Sequence, residues 1–418
     1  MSDARPALLF YCQHSVGLGH LTRSLALARA LSEKFRLVLL SGGRVPREIP
    51  LPRGVEVVEL PPVGLDPDGA LASRDRRRGV ERAMELRRGM ILDAYRRHRP
   101  RVVLIELFPF GRKKFGGELL PLLEQTAENP SRPLVVCSLR DILVGRSDQQ
   151  EHDERASRLA NRWFDAVLVH SDPRFARLEE SFRPRTPLRI PVHYTGFVTG
   201  QGPGRRPEKD PNGARRCPVL VSAGGGLAGE PLLRAAVEAA PLLGTEGPRM
   251  MVIAGPFLPS DAWRALRRGA RGQSGLELVR SVPDLRAELE AALGSVSQCG
   301  YNTALDLFVC GVPALVVPFS EPGEDEQTRR ALRLKRLGAV RVLEPSRLTP
   351  AALAREIRCL RDFRPAPIEL DLGGANETAR LISELDRDSS SSHRRRPRAG
   401  RRRPRAASAI RKAHEQLA

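Results

Sequence analysis

Two histidines and two glycines stand close together in "HSVGLGHLTRSLALARAL", residues 14–31. An imidazole has an unperturbed pKa of about 6.5, so it can take or give a proton near neutrality. Gly17 and Gly19 beside it let the main chain approach a ligand closely. A second stretch, "SVSQCGYNTALDLFVCGVPALVVPFSEPGEDEQ", residues 295–327, carries different chemistry. A helix starting near Asn302 would leave the N–H groups of Gly300, Tyr301 and Asn302 pointing outward at its N-terminus, where they can hold an anion. Asp306 follows one turn later on the same face, roughly 6 Å along the axis, and its carboxylate suits a ribose diol. Amides for phosphate plus such a carboxylate describe a nucleoside-diphosphate site.

The elements around these residues must bring them to one place. Residues 7–12 form a continuous apolar run without two-fold alternation, which predicts a strand covered on both faces of a parallel sheet. From Leu21, the apolar positions Leu21, Leu25, Ala28 and Leu31 recur at helical spacing. The histidine loop therefore joins a strand to a helix at the carboxyl edge of the sheet, where ligands bind in such folds. Strand-like runs at 36–40, 55–60, 102–106, 134–138 and 166–170 alternate with helical patterns, predicting a doubly wound sheet. After "TGQGPGRRPEKDPNGARR", residues 199–216, a linker rich in Gly, Pro and charge, the pattern restarts. Strands are expected at 218–222, 250–254, 276–279, 295–297, 314–318 and 339–343. Gly311 ends the helix that begins near Asn302, and Pro313 prevents its continuation.

The expected organisation is α/β: an N-terminal Rossmann-like domain over 1–198, the linker 199–216, and a second Rossmann-like domain over 217–385. The two doubly wound domains would face each other across a cleft. Residues 386–418 form a basic tail, expected to be disordered. The stretch "RRRPRAGRRRPR", residues 394–405, holds eight arginines, a large part of the chain's net charge of +20. No aromatic residue interleaves with them, so base stacking has nothing to use and no specific nucleic acid is expected. The tail could contact anionic surfaces by charge alone. No apolar run approaches the roughly 20 residues of a membrane helix, and the N-terminus has no secretory pattern. A cytoplasmic protein is expected, with the tail able to touch the inner face of the membrane. Cys12, Cys137, Cys217, Cys299, Cys310 and Cys359 are scattered, as reduced thiols are. The basic stretch 74–101 has a helical pattern and reads as a solvated surface of the first domain.

The 295–334 segment resembles the carboxyl-terminal domain of the MurG-like, UDP-sugar-using glycosyltransferases of the GT-B fold (glycosyltransferase family 28, C-terminal type). The run "DLFVCGVP" places Asp306 where that group holds the ribose, with Asp in place of the usual Glu. Gln327, in "EDEQ", falls where a Gln contacts sugar hydroxyls. Gly224, Gly225 and Gly226 match a loop near the diphosphate. Val282, in "SVPDL", lies in a loop that holds the base by main-chain contacts. The turn "GLGHLTR" is similar to the glycine-histidine turn of GT-B enzymes and to that of a related UDP-sugar hydrolase. The stretch "VVLIELFPFGR", residues 102–112, resembles an uncharacterised branch of predicted glycosyltransferases.

The resemblance implies a hexosyl-type transferase with a UDP-sugar donor, an acceptor of unknown identity, and His20 as the base. Glu106, at the end of a strand on the same sheet edge, resembles the acid that orients such a histidine. Arg23 could reach the diphosphate or pair on its helix surface; His14 reads as a packing residue of the loop. The helix N-terminus can stabilise the leaving diphosphate. No D-x-D pair stands at a strand end, so neither a metal nor another cofactor is expected. A nicotinamide enzyme fits poorly: the third glycine position holds Thr22, and the second strand ends "LLSGG" without an acid. The rivals that fit are a UDP-sugar hydrolase with water as acceptor and a non-catalytic nucleotide-sugar binder.

Overall fold

A computed structural model of the chain describes residues 5–14, 19–46, 49–66, 69–75, 77–200, 218–226, 228–320 and 325–395, the last six by main chain alone. The linker core 201–216, Gly17 and residues 396–418 lie outside the described residues. In the first half, β1 (Ala7–Cys12) leads to α1 (Gly19–Ser32), β2 (Arg36–Ser41) and β3 (Glu56–Glu59). A short hairpin follows, β4 (Val63–Leu65) with β5 (Leu71–Ser73), and then α2 (Val80–His98). The half continues through β6 (Val102–Glu106), α3 (Gly116–Glu128), β7 (Leu134–Arg140), α4 (Gln149–Trp163), β8 (Ala166–His170) and β9 (Val192–Tyr194). Seven of these strands form one parallel sheet in the order β3-β2-β1-β6-β7-β8-β9. The hairpin and β9 were not expected from sequence, since runs of three residues are too short for a periodicity to show.

The second half repeats the plan: β10 (Val219–Ser222), α5 (Glu230–Leu243), β11 (Met250–Ile253), α6 (Ser260–Gly269), β12 (Leu276–Val279) and α7 (Leu285–Ala291) come first. They are followed by β13 (Gly294–Ser297), α8 (Tyr301–Cys310), β14 (Ala314–Val316), α9 (Glu326–Arg336), β15 (Arg341–Val342) and α10 (Pro350–Cys359). The sheet runs β12-β11-β10-β13-β14-β15, again parallel. Its core is the aliphatic layer around Val219, Val221, Leu233, Val252 and Leu315. Each sheet winds in two directions from its first strand, so each has one switch point: between β1 and β6, and between β10 and β13. Loops leaving the carboxyl ends of those pairs line a crevice.

The last helix, α11 (Gly374–Arg395), departs from expectation in two ways. It packs on α1 of the first domain, burying Ala379 and Ile382 among Leu8, Leu27 and Leu31, although the boundary at 385 grouped it with the second domain. It also runs past that boundary, through Arg395. Asp386 is mostly buried and accepts from Arg101 Nε at 3.1 Å, a tertiary anchor that local composition does not register.

Candidate active site

The first switch point gathers buried charge. Glu106 ends β6 with its carboxylate wholly buried, and its Oε1 accepts from His20 Nδ1 at 2.8 Å. Arg23, one turn further along α1, donates to the same oxygen. Both a diphosphate contact and a surface pair were open for Arg23; it is buried, and its described ion-pair partner is Glu106. Burial alone would raise the Glu106 carboxyl, but His20 and Arg23 outweigh it and hold the group well below the usual carboxylate range. Burial also pushes His20 down, to about 4, against the pull of Glu106, so the imidazole is neutral at ordinary pH. An ionised carboxylate only accepts, so Nδ1 carries the proton and Nε2 keeps its lone pair. The ring remains 22% exposed, and His20 lines the cleft. His14 packs as expected, buried with Nε2 2.7 Å from Ser41 Oγ.

The second switch point is built from main chain. The loop after β10 turns through Gly224 and Gly226, both at positive φ, and packs against Ala254 and Gly255. Helix α8 is capped by Gly300 in extended conformation, and Gly311 closes it in the left-handed region. The first-turn N–H groups of a helix have no intrahelical acceptor, so this N-terminus presents free donors and a positive dipole end. The Tyr301 ring is turned inward: its hydroxyl donates to His170 O and accepts from Val198 N, both in the first half of the chain. Only its main chain is therefore available to a ligand. Asn302 Nδ2 donates to Gly19 O at 2.9 Å, which ties the donor helix directly to the turn carrying His20.

These parts meet in one cavity of about 330 Å³, lined by Gly19, His20, Arg23, Gly224–Gly226, Gly300–Asn302 and Gln327. Gln327 Oε1 accepts from Cys299 N at 2.9 Å and Phe319 N at 3.1 Å, which turns the donor end of its carboxamide away from those amides. Two expected contacts lie outside this lining: Val282 is half-buried after β12, and Asp306 stands on α8 where Asp284, the N-cap of α7, and Arg286 in the first turn of α7 act on it. Burial pushes the Asp306 carboxyl up to about 6, against Arg286. A larger cavity of about 670 Å³, near His14, Arg74 and Phe257, lies away from His20. Among the described residues no group of three His, Cys, Asp or Glu side chains could hold a metal ion. No helix among them is long and apolar enough to cross a membrane.

Sequence reading missed Arg140 and Glu326. Arg140 ends β7, and its guanidinium pairs with Glu326 at the start of α9, 2.5 Å away across the two domains. Both line the same cavity as His20. The available signal was a charged residue at the carboxyl end of a parallel strand, the position that also gave Glu106. Deeper in the same interface Arg330 is buried and makes a two-pronged contact with Asp141, at 2.7 and 2.8 Å.

Two Rossmann-like domains with a cleft between their switch points are the GT-B architecture. Residues 260–385 match the model of the glycosyltransferase family 28 C-terminal domain. The chain is 33% identical over 119 residues to the UDP-N-acetylglucosamine--N-acetylmuramyl-(pentapeptide) pyrophosphoryl-undecaprenol N-acetylglucosamine transferase of Methylorubrum populi, covering 28% of this chain and 31% of that one. The transferase of the same name from Halorhodospira halophila is 28% identical over 347 residues, covering 80% of this chain and 84% of that one. Over the first three curated relatives the chain matches about a third of their length or less. Among solved structures, Acinetobacter baumannii MurG superposes with a TM-score of 0.56 at 16% identity, over 91% of this chain and all of that one. The calicheamicin glycosyltransferase CalG4 superposes with 0.53 at 17% identity, over 99% of each.

Proposed function

We propose that this chain is a glycosyltransferase that moves a hexosyl-type sugar from a UDP-sugar to an acceptor hydroxyl, with inversion and without a metal. The relatives named for UDP-N-acetylglucosamine transfer support the donor class. One observation carries the reading: His20, oriented by Glu106, stands on the wall of the cavity that the α8 N-terminus and the Gly224–Gly226 loop also line.

The diphosphate lies against the amides of Gly300–Asn302 and the glycine loop. The nucleoside extends along α8 toward Asp306 and Val282, which adjoin one another through Asp284. Gln327 offers its amide to sugar hydroxyls. His20 Nε2 takes the proton from the acceptor hydroxyl as that oxygen attacks the anomeric carbon on the face opposite the leaving UDP. Glu106 keeps the proton on Nδ1 and stabilises the imidazolium, while Arg23 keeps Glu106 ionised. Charge growing on the departing phosphate is met by the helix dipole and fixed amides.

UDP release from a panel of UDP-sugars, with and without hydroxyl acceptors, tests this. Release that requires an acceptor is expected; equal release in water alone would mark a hydrolase, and no turnover under any condition would mark a binder.

A further inference from the structure

His20, Arg140 and Glu326 border a second cavity as well as the donor cavity. This second space, about 480 Å³, is the size of a drug-like molecule. Resting on the transfer reading above, we propose that it is the acceptor site and that the acceptor is a small amphipathic anion, bearing its hydroxyl and an oxyanion on one apolar body.

The walls divide by chemistry. Leu107, Phe110, Phe115 and Leu143 supply an apolar side, and all four are buried. The same cavity is lined by Arg112, Lys113, Lys114, Arg140 and Arg146, five cations against the single carboxylate of Glu326, which Arg140 already engages. The contacts of Arg112 and Lys114 are main-chain carbonyls, of Gln13 and Gly69, which hold the side chains without neutralising them. The Nε atoms of Arg112 and Arg140 are buried without a protein acceptor. An oxyanion in the cavity would lie among the cations that line it, Arg112, Lys113, Lys114, Arg140 and Arg146. The hydroxyl of such a molecule lies toward His20, at the boundary with the donor cavity. The volume of about 480 Å³ suits a compact acid.

Calorimetry on UDP-saturated protein tests the site with 4-hydroxycinnamate and other small hydroxy acids, each against its methyl ester. At least one acid should bind ten or more times tighter than its ester, and Arg112→Gln should cut that ratio below two. The double variant Lys113→Gln with Arg146→Gln should lower it as well, and UDP affinity in the same samples reports that each variant is folded. Acids and esters binding alike, no acid binding while UDP does, or selectivity unmoved in both variants would overturn the proposal. So would farnesyl diphosphate binding tightly where every small acid fails. Failure of the unsubstituted protein to bind UDP, with the acid preference intact when acids are titrated without UDP, would remove the transfer reading alone and leave the anion site standing.

Discussion

At the switch point of the first sheet the cleft is met by titratable and charged side chains, His20 and Arg23 backed by the buried Glu106, while at that of the second it is met by glycine turns and a helix N-terminus. The two crevices have the same topology and opposite materials. A group that must change protonation during a reaction has to be a side chain whose pKa its surroundings can move, and burial around His20 does that. A group that must hold phosphate at every pH is better made of amides, which do not titrate. On the proposed reading, one α/β plan serves proton transfer in the first half and anion binding in the second.

Substitutions that damage one crevice and spare the other test that division. The largest effect is expected from His20→Ala: turnover should fall by about 10³ while UDP affinity by calorimetry stays within twofold. Full turnover in that variant would sink the base assignment. Glu106→Gln should lower turnover by about 10²-fold, and it leaves Arg23 buried without its counter-charge, so thermal unfolding should shift down too. The pH profile sharpens the same point. His20 is held below its ordinary value, so the base stays neutral through pH 6 and kcat/KM should decline only as pH falls toward about 4. A profile breaking near 6.5 would mean that burial does not govern this ring.

The second crevice should respond in binding instead. Gly226 sits at a φ of +91°, and a Cβ there would collide with Ala254 O. Gly226→Ala should therefore weaken UDP binding about tenfold, the equivalent of 1.4 kcal/mol of loop strain. The smallest effect is expected from Asp306→Ala, a loss of UDP affinity of about threefold to fivefold, near 1 kcal/mol for one hydrogen bond. Unchanged affinity would remove the ribose contact.

Much of this was legible in the residues themselves. Buried parallel strands appear as unbroken apolar runs, and the α8 start and its stop at Gly311 follow from local backbone chemistry. His20 and Glu106 could each be placed at a sheet edge from their position just after or at the end of a strand. Arg23 could not be assigned, because its partner is 83 residues away and only strand order brings β1 beside β6. Arg140 and Glu326 were missed for the same reason, since each belongs to a different domain.

By itself, then, the sequence determined the elements, the repeated α/β plan and the kinds of chemistry available at each turn, because these depend on periodicity and on backbone preferences within a few residues. The tertiary structure alone decided which charges pair, that the Tyr301 ring is spent on joining the domains, and that α11 returns to the first domain. Those outcomes depend on contacts between residues far apart in the chain, and on burial, which a residue acquires only when its neighbours are in place.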